Sequence, residues 1–425
     1  MRRWPLSLFF VGVFLAACTG SSGTSNQQSG TLVVGGFNPF TGSDAAFGPE
    51  MMAGCFPAVA LVNRDGGVLG HQLKCLAVDT RGDPADAVPA ASKLVATTSN
   101  LIGVLGPSSD EADATAPIFE QSKIPMFADT GEASFDHSSY TYFWRLTPSD
   151  GAAGYAMAAW AKHQGYLQGA AIFGNDISSQ ANVPTLLRGY AALGGTMVNE
   201  QRIALDQASY RTEVEKMAAT HPQVIFTEAD PQSDAALLSE LQQLHGLVQV
   251  IGTEPTLQPN WLQAVSGAIG RTNLSKYYVG VQPYAPASGP SWQVFNQALL
   301  ASSAQVPKPS QWSSDPYTMT DYDAVVVMAL SMIAAKSTDP SVYNSYIIKV
   351  SQASPGATLV HSFREGKAAL ASGKTIQYVG AGGPIIFDQW HNSAGGFEVA
   401  KYLTSGKTEL VGTVTATEIA QLSGK

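Results

Sequence analysis

Charge is scarce in this chain, and positive charge is scarcer. Only 13% of its 425 residues are charged, with 24 Lys or Arg against 33 Asp or Glu, for a formal net charge of −9. A nucleic-acid partner wants a basic face, so that function class is excluded. Cysteine is nearly absent: Cys18, Cys55 and Cys75 are all there is. No second Cys or His pair stands at ligand spacing, and His71, His163, His221 and His391 are scattered, so neither a metal site nor a cofactor is expected. Hydrolase signatures are missing too. There is no Gly-x-Ser-x-Gly elbow and no His-Glu-x-x-His. Gly373-Lys374-Thr375 has Ala368 where a phosphate loop needs glycine, and reads as a helix end and turn. The chain does not read as an enzyme.

Apolar residues are plentiful at 45%, enough for a large core. The length calls for two domains rather than one. Arg2 and Arg3 precede an apolar stretch, Leu6 to Ala17, that is shorter than the ~20 residues of a membrane-spanning helix. It ends Leu15-Ala16-Ala17-Cys18, which resembles a bacterial lipobox. Residues 1–18 are therefore expected to be a lipoprotein signal peptide with Cys18 as the lipidated residue. Residues 19–30 are polar and small, as in a flexible tether. An exported chain can form disulfides. Cys55 falls on the first expected helix and Cys75 on the second expected strand, and the pair is either a bridge or two buried thiols.

Beyond the tether, short apolar runs alternate with amphipathic helices. Thr31–Phe37, Gln72–Val78, Leu101–Leu105 and Ile124–Ala128 read as strands, with helices over Phe47–Arg64 and Ala85–Thr97. After Asp150 the pattern restarts, with helix Ala152–Gln164 and strands Ala170–Phe173, Met197–Ile203, Val224–Phe226 and Val248–Ile251. Such alternation specifies βαβ units and parallel sheets. A long helix is expected over Asp315–Lys336, then closing strands at Phe397–Leu403 and Glu409–Val414.

Several stretches occur in a telling order: Asn38-Pro39-Phe40-Thr41-Gly42, Asp65-Gly66-Gly67-Val68-Leu69-Gly70, Gly103-Val104-Leu105-Gly106-Pro107-Ser108-Ser109, Trp144-Arg145-Leu146-Thr147-Pro148-Ser149-Asp150 and Tyr322-Asp323-Ala324. Together they resemble the type I periplasmic binding proteins of the branched-chain amino acid and amide group (Leu/Ile/Val-binding-like). The resemblance covers residue 31 to about 415. It implies an α/β fold of two doubly wound lobes joined by a three-strand hinge, with crossovers near Asp150, Pro283 and Phe387. Lobe one would be 31–149 plus 284–385, and lobe two 150–283 plus 386–425. It also implies an extracytoplasmic substrate-binding lipoprotein of an ABC importer, anchored on the outer face of the membrane or in the periplasm. Its partners would be permease subunits and a small ligand, an amino acid or related amide. A ligand sensor of the same fold is the alternative, and a hydrolase of similar shape a remoter one.

In open α/β sheets ligands sit beyond the carboxyl ends of the strands, where helix N-termini offer free N–H groups. The resemblance puts a ligand carboxylate at Ser108 or Ser109, Thr130 beside it, Phe47 over the ligand, and Asp150 and Glu254 on its ammonium. Helix caps, solvated loops or core packing are the competing roles for these residues. The chain departs from the family at Asp129 and Glu132, and at Ala229 where an aromatic is common.

Overall fold

The computed structural model describes residues 30–42, 44–108, 111–284, 286–352, 354–393 and 395–423. The expected signal peptide, most of the expected tether, Cys18 and Ser109 lie outside them.

The first sheet contains β1 (Leu32–Asn38), β2 (Leu73–Asp79), β3 (Leu101–Leu105), β4 (Met126–Ala128) and β5 (Phe143–Arg145). All pair in parallel, in the order β2-β1-β3-β4-β5. Every residue of β1 and β3 is buried. Central parallel strands are covered on both faces, so these positions are apolar without alternation. Helices α1 (Phe47–Arg64), α2 (Pro84–Thr97) and α3 (Ala112–Gln121) supply the cover. Gly36 lets α1 approach β1, since a β-carbon there would lie 2.0 Å from the Met52 sulfur.

After β5 the chain crosses into α4 (Asp150–His163). It then builds β6 (Gln168–Gly174), α5 (Ile177–Ala181), α6 (Val183–Ala192), β7 (Thr196–Ile203), α7 (Arg211–Ala218) and β8 (Val224–Glu228). Next come α8 (Pro231–Leu244), β9 (Gln249–Gly252), α9 (Pro259–Ile269), α10 (Arg271–Tyr277) and β10 (Tyr278–Pro283). Helices α11 (Gly289–Ala301) and α12 (Pro316–Ala335) return to the first core. A three-stranded sheet follows, formed by β11 (Thr358–Val360), β12 (Ile376–Gly380) and β13 (Gly383–Pro384). Finally β14 (Phe397–Tyr402) and β15 (Thr408–Val414) join the second sheet, whose order is β15-β14-β10-β9-β8-β6-β7. Its five parallel strands, β7-β6-β8-β9-β10, repeat the order of the first sheet, and β14 and β15 extend it antiparallel. Four apolar clusters fill the two faces of the two sheets. The molecule is thus an α/β protein of two doubly wound lobes.

Helix α12 is long and apolar enough to cross a bilayer, but it is largely buried in the first lobe. Thr318 Oγ1 donates to the Glu50 carbonyl of α1 at 2.8 Å. Further along, Asp323 accepts from Tyr378 Oη at 2.7 Å and from the Ala381 N–H at 2.8 Å. That pins the Gly-rich turn after β12.

The crossing segments are held by Arg145, which is buried. Residues 388–393 run beside β5, with the Arg145 N–H donating to His391 O at 3.0 Å and the Ser393 N–H donating to Arg145 O at 2.8 Å. The guanidinium donates to Asn392 Oδ1 at 2.9 Å and to Glu132 O at 3.0 Å, and is paired with Asp136. Cys55 of α1 and Cys75 of β2 form a disulfide.

Candidate ligand-binding cleft

Strand β4 runs out at Ala128, and the next residues, Asp129 to Glu132, turn along the top of the first sheet. In the second sheet β6 leads to Asp176, β8 ends on Glu228, and β9 leads to Thr253 and Glu254. These carboxyl-end loops from both lobes enclose one cavity of about 390 Å³. The size is that of a small-solute site.

Four of the expected residues line it: Phe47, Thr130, Asp150 and Glu254. Phe47 opens α1, its N–H held by Asp44 O at 3.0 Å. Thr130 Oγ1 accepts the Glu132 N–H at 3.2 Å, which leaves its own proton for another acceptor. The cap of α4 is Ser149, whose hydroxyl accepts from the Ala152 N–H at 3.2 Å, so Asp150 is the first helical residue rather than the cap. Ser108 is absent from the described wall. It is buried and donates to Glu111 Oε1 at 3.1 Å.

The wall is acidic. Asp44, Asp129, Glu132, Asp150, Asp176, Glu228, Asp230 and Glu254 line the cavity, and among the described residues no Lys, Arg or His does. Burial makes three of them, Asp129, Glu228 and Glu254, hold their protons more tightly. Burial, helped by the Asp150 charge, pushes Glu228 up to about 8. It does so although Ser178 Oγ donates to it at 3.1 Å, Asn182 Nδ2 donates at 2.9 Å and Thr253 also bonds it. Glu254 is pushed up to about 7 by burial, with Asp315 and Asp150 adding to it and a hydrogen bond from Gln258 opposing. Asp129 and Asp321 are raised well above the carboxylate range by burial, and Glu50 by burial and by Asp315. Tyr317, on the first turn of α12, feels the charges of Glu254, Asp150, Glu50 and Asp129, which with burial hold its phenol well above the usual value.

Sequence reasoning missed Glu228, Asp315, Tyr317 and Asp321. Asp321 carried a legible signal, because a carboxylate one turn into an apolar helix is seldom buried without a reason. Glu228 carried a similar one at the end of the buried run Val224–Thr227. Asp315 reads as a plain cap, and indeed accepts from the Thr318 N–H at 2.7 Å.

Two lobes with matching strand order and a shared cavity at their carboxyl ends define a two-lobed solute-binding fold. The family model for periplasmic binding proteins matches residues 31–342, and the chain belongs to that family. It is similar to Leu/Ile/Val-binding protein homolog 2 of Brucella abortus (strain 2308), with 36% identity over 107 residues, or 24% of this chain and 28% of the relative. The aligned region thus spans less than a third of that relative. Among solved structures, a leucine-binding protein of Thermotoga maritima superposes with a TM-score of 0.71 at 17% identity, over 91% of this chain and 99% of its own. The branched-chain amino acid substrate-binding protein of Streptococcus pneumoniae in complex with isoleucine gives 0.70 at 16% identity, over 90% and 99%. At such identities these likenesses establish the fold.

Proposed function

We propose that the chain is the extracytoplasmic solute-binding component of an ABC importer, non-enzymatic and held at the membrane by a lipid on Cys18. The observation that carries this reading is a cavity whose wall is drawn from the strand ends of both lobes. A solute seated there touches both halves, so it favours the closed arrangement by its differential contacts. The closed surface is then what permease subunits recognise. Phe47, Thr130, Asp150 and Glu254 are the proposed contacts, with Ser109 supplementing them from the neighbouring loop. The lobes are taken as 31–149 plus 284–385 and 150–283 plus 386–425. Amino acids and related amides are the starting solute class, by analogy with the relatives.

The test pairs a thermal-shift screen with small-angle scattering. A true solute at 100 times its Kd stabilises by about 2.7 kcal/mol and reduces the radius of gyration. A solute that stabilises without compaction would remove the closure mechanism. Replacing Cys18 with Ser should move the protein from the membrane fraction to the soluble one, and retention there would count against the anchor.

A further inference from the structure

An amino acid presents a carboxylate as well as an ammonium, and the described wall offers the carboxylate little. Ser108 is spent on Glu111, Asp129 stands directly after β4 beside Thr130, and no described cation faces the cavity. The wall instead holds eight acidic side chains drawn from both lobes.

Their placement follows the fold. Strands β4 and β9 hold the same rank in their sheets. Asp129 comes directly after β4 and Glu254 two residues after β9, so acidic groups face the cavity from equivalent places on opposite walls. Asp129 is only 8% exposed. The carboxyls of Asp129 and Asp321 face each other, and the Oδ2 of each meets no other protein donor. Oδ2 of Asp176 in the second lobe is likewise buried without a partner. Such acceptors await donors that the protein does not supply. Among the described residues no three such groups converge closely enough to hold a metal ion. The charge to be matched is therefore spread along the cavity rather than focused at a point. Aromatic surface lies between the acids: Phe47 and Tyr317 line the same cavity. Ring faces and methylene chains suit each other, and rings also favour organic cations.

We propose that this cleft takes an aliphatic solute carrying at least two cationic nitrogen groups, one held by Asp129 and the acidic start of α12, the other by Glu254 and Glu228. The proposal rests on the solute-binding reading above. Two sources share this chemistry: linear di- and polyamines, and amino acids with a basic side chain. Bound across the gap, the cation favours the ionised form of these carboxyls on both walls and ties the walls together, so closure follows binding.

The test titrates the purified chain with cadaverine, spermidine, lysine, leucine, butylamine and calcium chloride, reading calorimetry and thermal shift. Cadaverine or spermidine should bind saturably, at least tenfold more tightly than butylamine or leucine. Affinity should fall steeply between 50 mM and 500 mM salt, as partly exposed charge pairs are screened. Lysine and cadaverine differ by one carboxylate, so their ratio separates the two sources. Asp129→Asn and Glu254→Gln should each weaken binding at least tenfold. Glu254 is half-buried where Asp129 is buried, so its variant tests the site even if the Asp129 variant folds poorly. Leucine binding while both lysine and the amines are silent would overturn the cationic class and leave solute capture intact. Calcium binding in place of amines would overturn it as well. Amine binding unchanged in Glu254→Gln would overturn the placement. Failure of solute capture itself would show differently, as no compaction by any solute of the broader screen.

Discussion

The Asp150 N–H donates to the Gly131 carbonyl oxygen at 2.6 Å, and a β-carbon on Gly131 would lie 1.8 Å from Asp150 Oδ1. The loop after β4 thus meets the start of α4 with no room for a side chain. Gly131→Ala must displace the carboxylate or the loop. Overpacking of this kind costs about 1–3 kcal/mol. The expected outcome is a lower unfolding midpoint and a solute affinity reduced at least tenfold, read by urea titration and calorimetry. An unchanged affinity would show that Asp150 does not touch the solute.

Buried carboxyls give the protein an inverted pH response. Glu228 is raised to about 8, and Glu111, Asp234 and Asp323 to about 7, in each case mainly by burial. In the unfolded chain these groups titrate near 4. The folded state therefore holds more protons between those values, and its stability falls as pH rises. Their contribution is complete below about pH 4 and is lost as pH passes through 7 to 8. The ligand-free melting temperature should drop from pH 5.5 to 8.5. Affinity for a cationic solute should rise over the same span, because binding needs Glu228 and Glu254 ionised. Calorimetry in buffers of different ionisation enthalpy should register proton release on binding.

Arg145 ties the 130–136 loop to the segment that returns toward β14. Arg145→Met leaves Asp136, the Glu132 carbonyl and Asn392 without their donor. Stripping one partner from a buried pair costs about 3–5 kcal/mol, and the lower end applies because the Asp136 side chain is 25% exposed. Denaturant unfolding should report that loss, and solute affinity should fall with it since Thr130 sits on the released loop.

Reduction of the Cys55–Cys75 bridge frees a loop with a sequence separation of 20. Chain entropy alone assigns such a closure about 3 kcal/mol. A Cys55→Ser/Cys75→Ser variant should melt at a lower temperature than the oxidised protein, and adding reductant should then have no further effect.

The fold was largely legible because its signal is local. Runs such as Leu32–Phe37 and Val224–Phe226 have to be buried on both faces, and α1 appears over Phe47–Arg64, the bounds its periodicity predicts. The site was legible only in part. Phe47, Thr130, Asp150 and Glu254 follow strand ends, a place that order along the chain reveals. Tyr317 reaches the same cavity, and Asp315 and Asp321 stand beside its acids, from a helix nearly two hundred residues beyond Asp129, and no local pattern announces that meeting. Ser108 shows a related limit. A serine before a helix looks alike whether its hydroxyl faces a solute or, as here, a buried glutamate.

The repeated strand order has a consequence for how a guest is read. If the two halves, wound alike, also relate by an approximate dyad through the gap, a guest with like ends presents the same face after a half-turn about that axis and can dock in either sense. A guest with unlike ends is accepted in one sense, and only as far as the two halves have diverged.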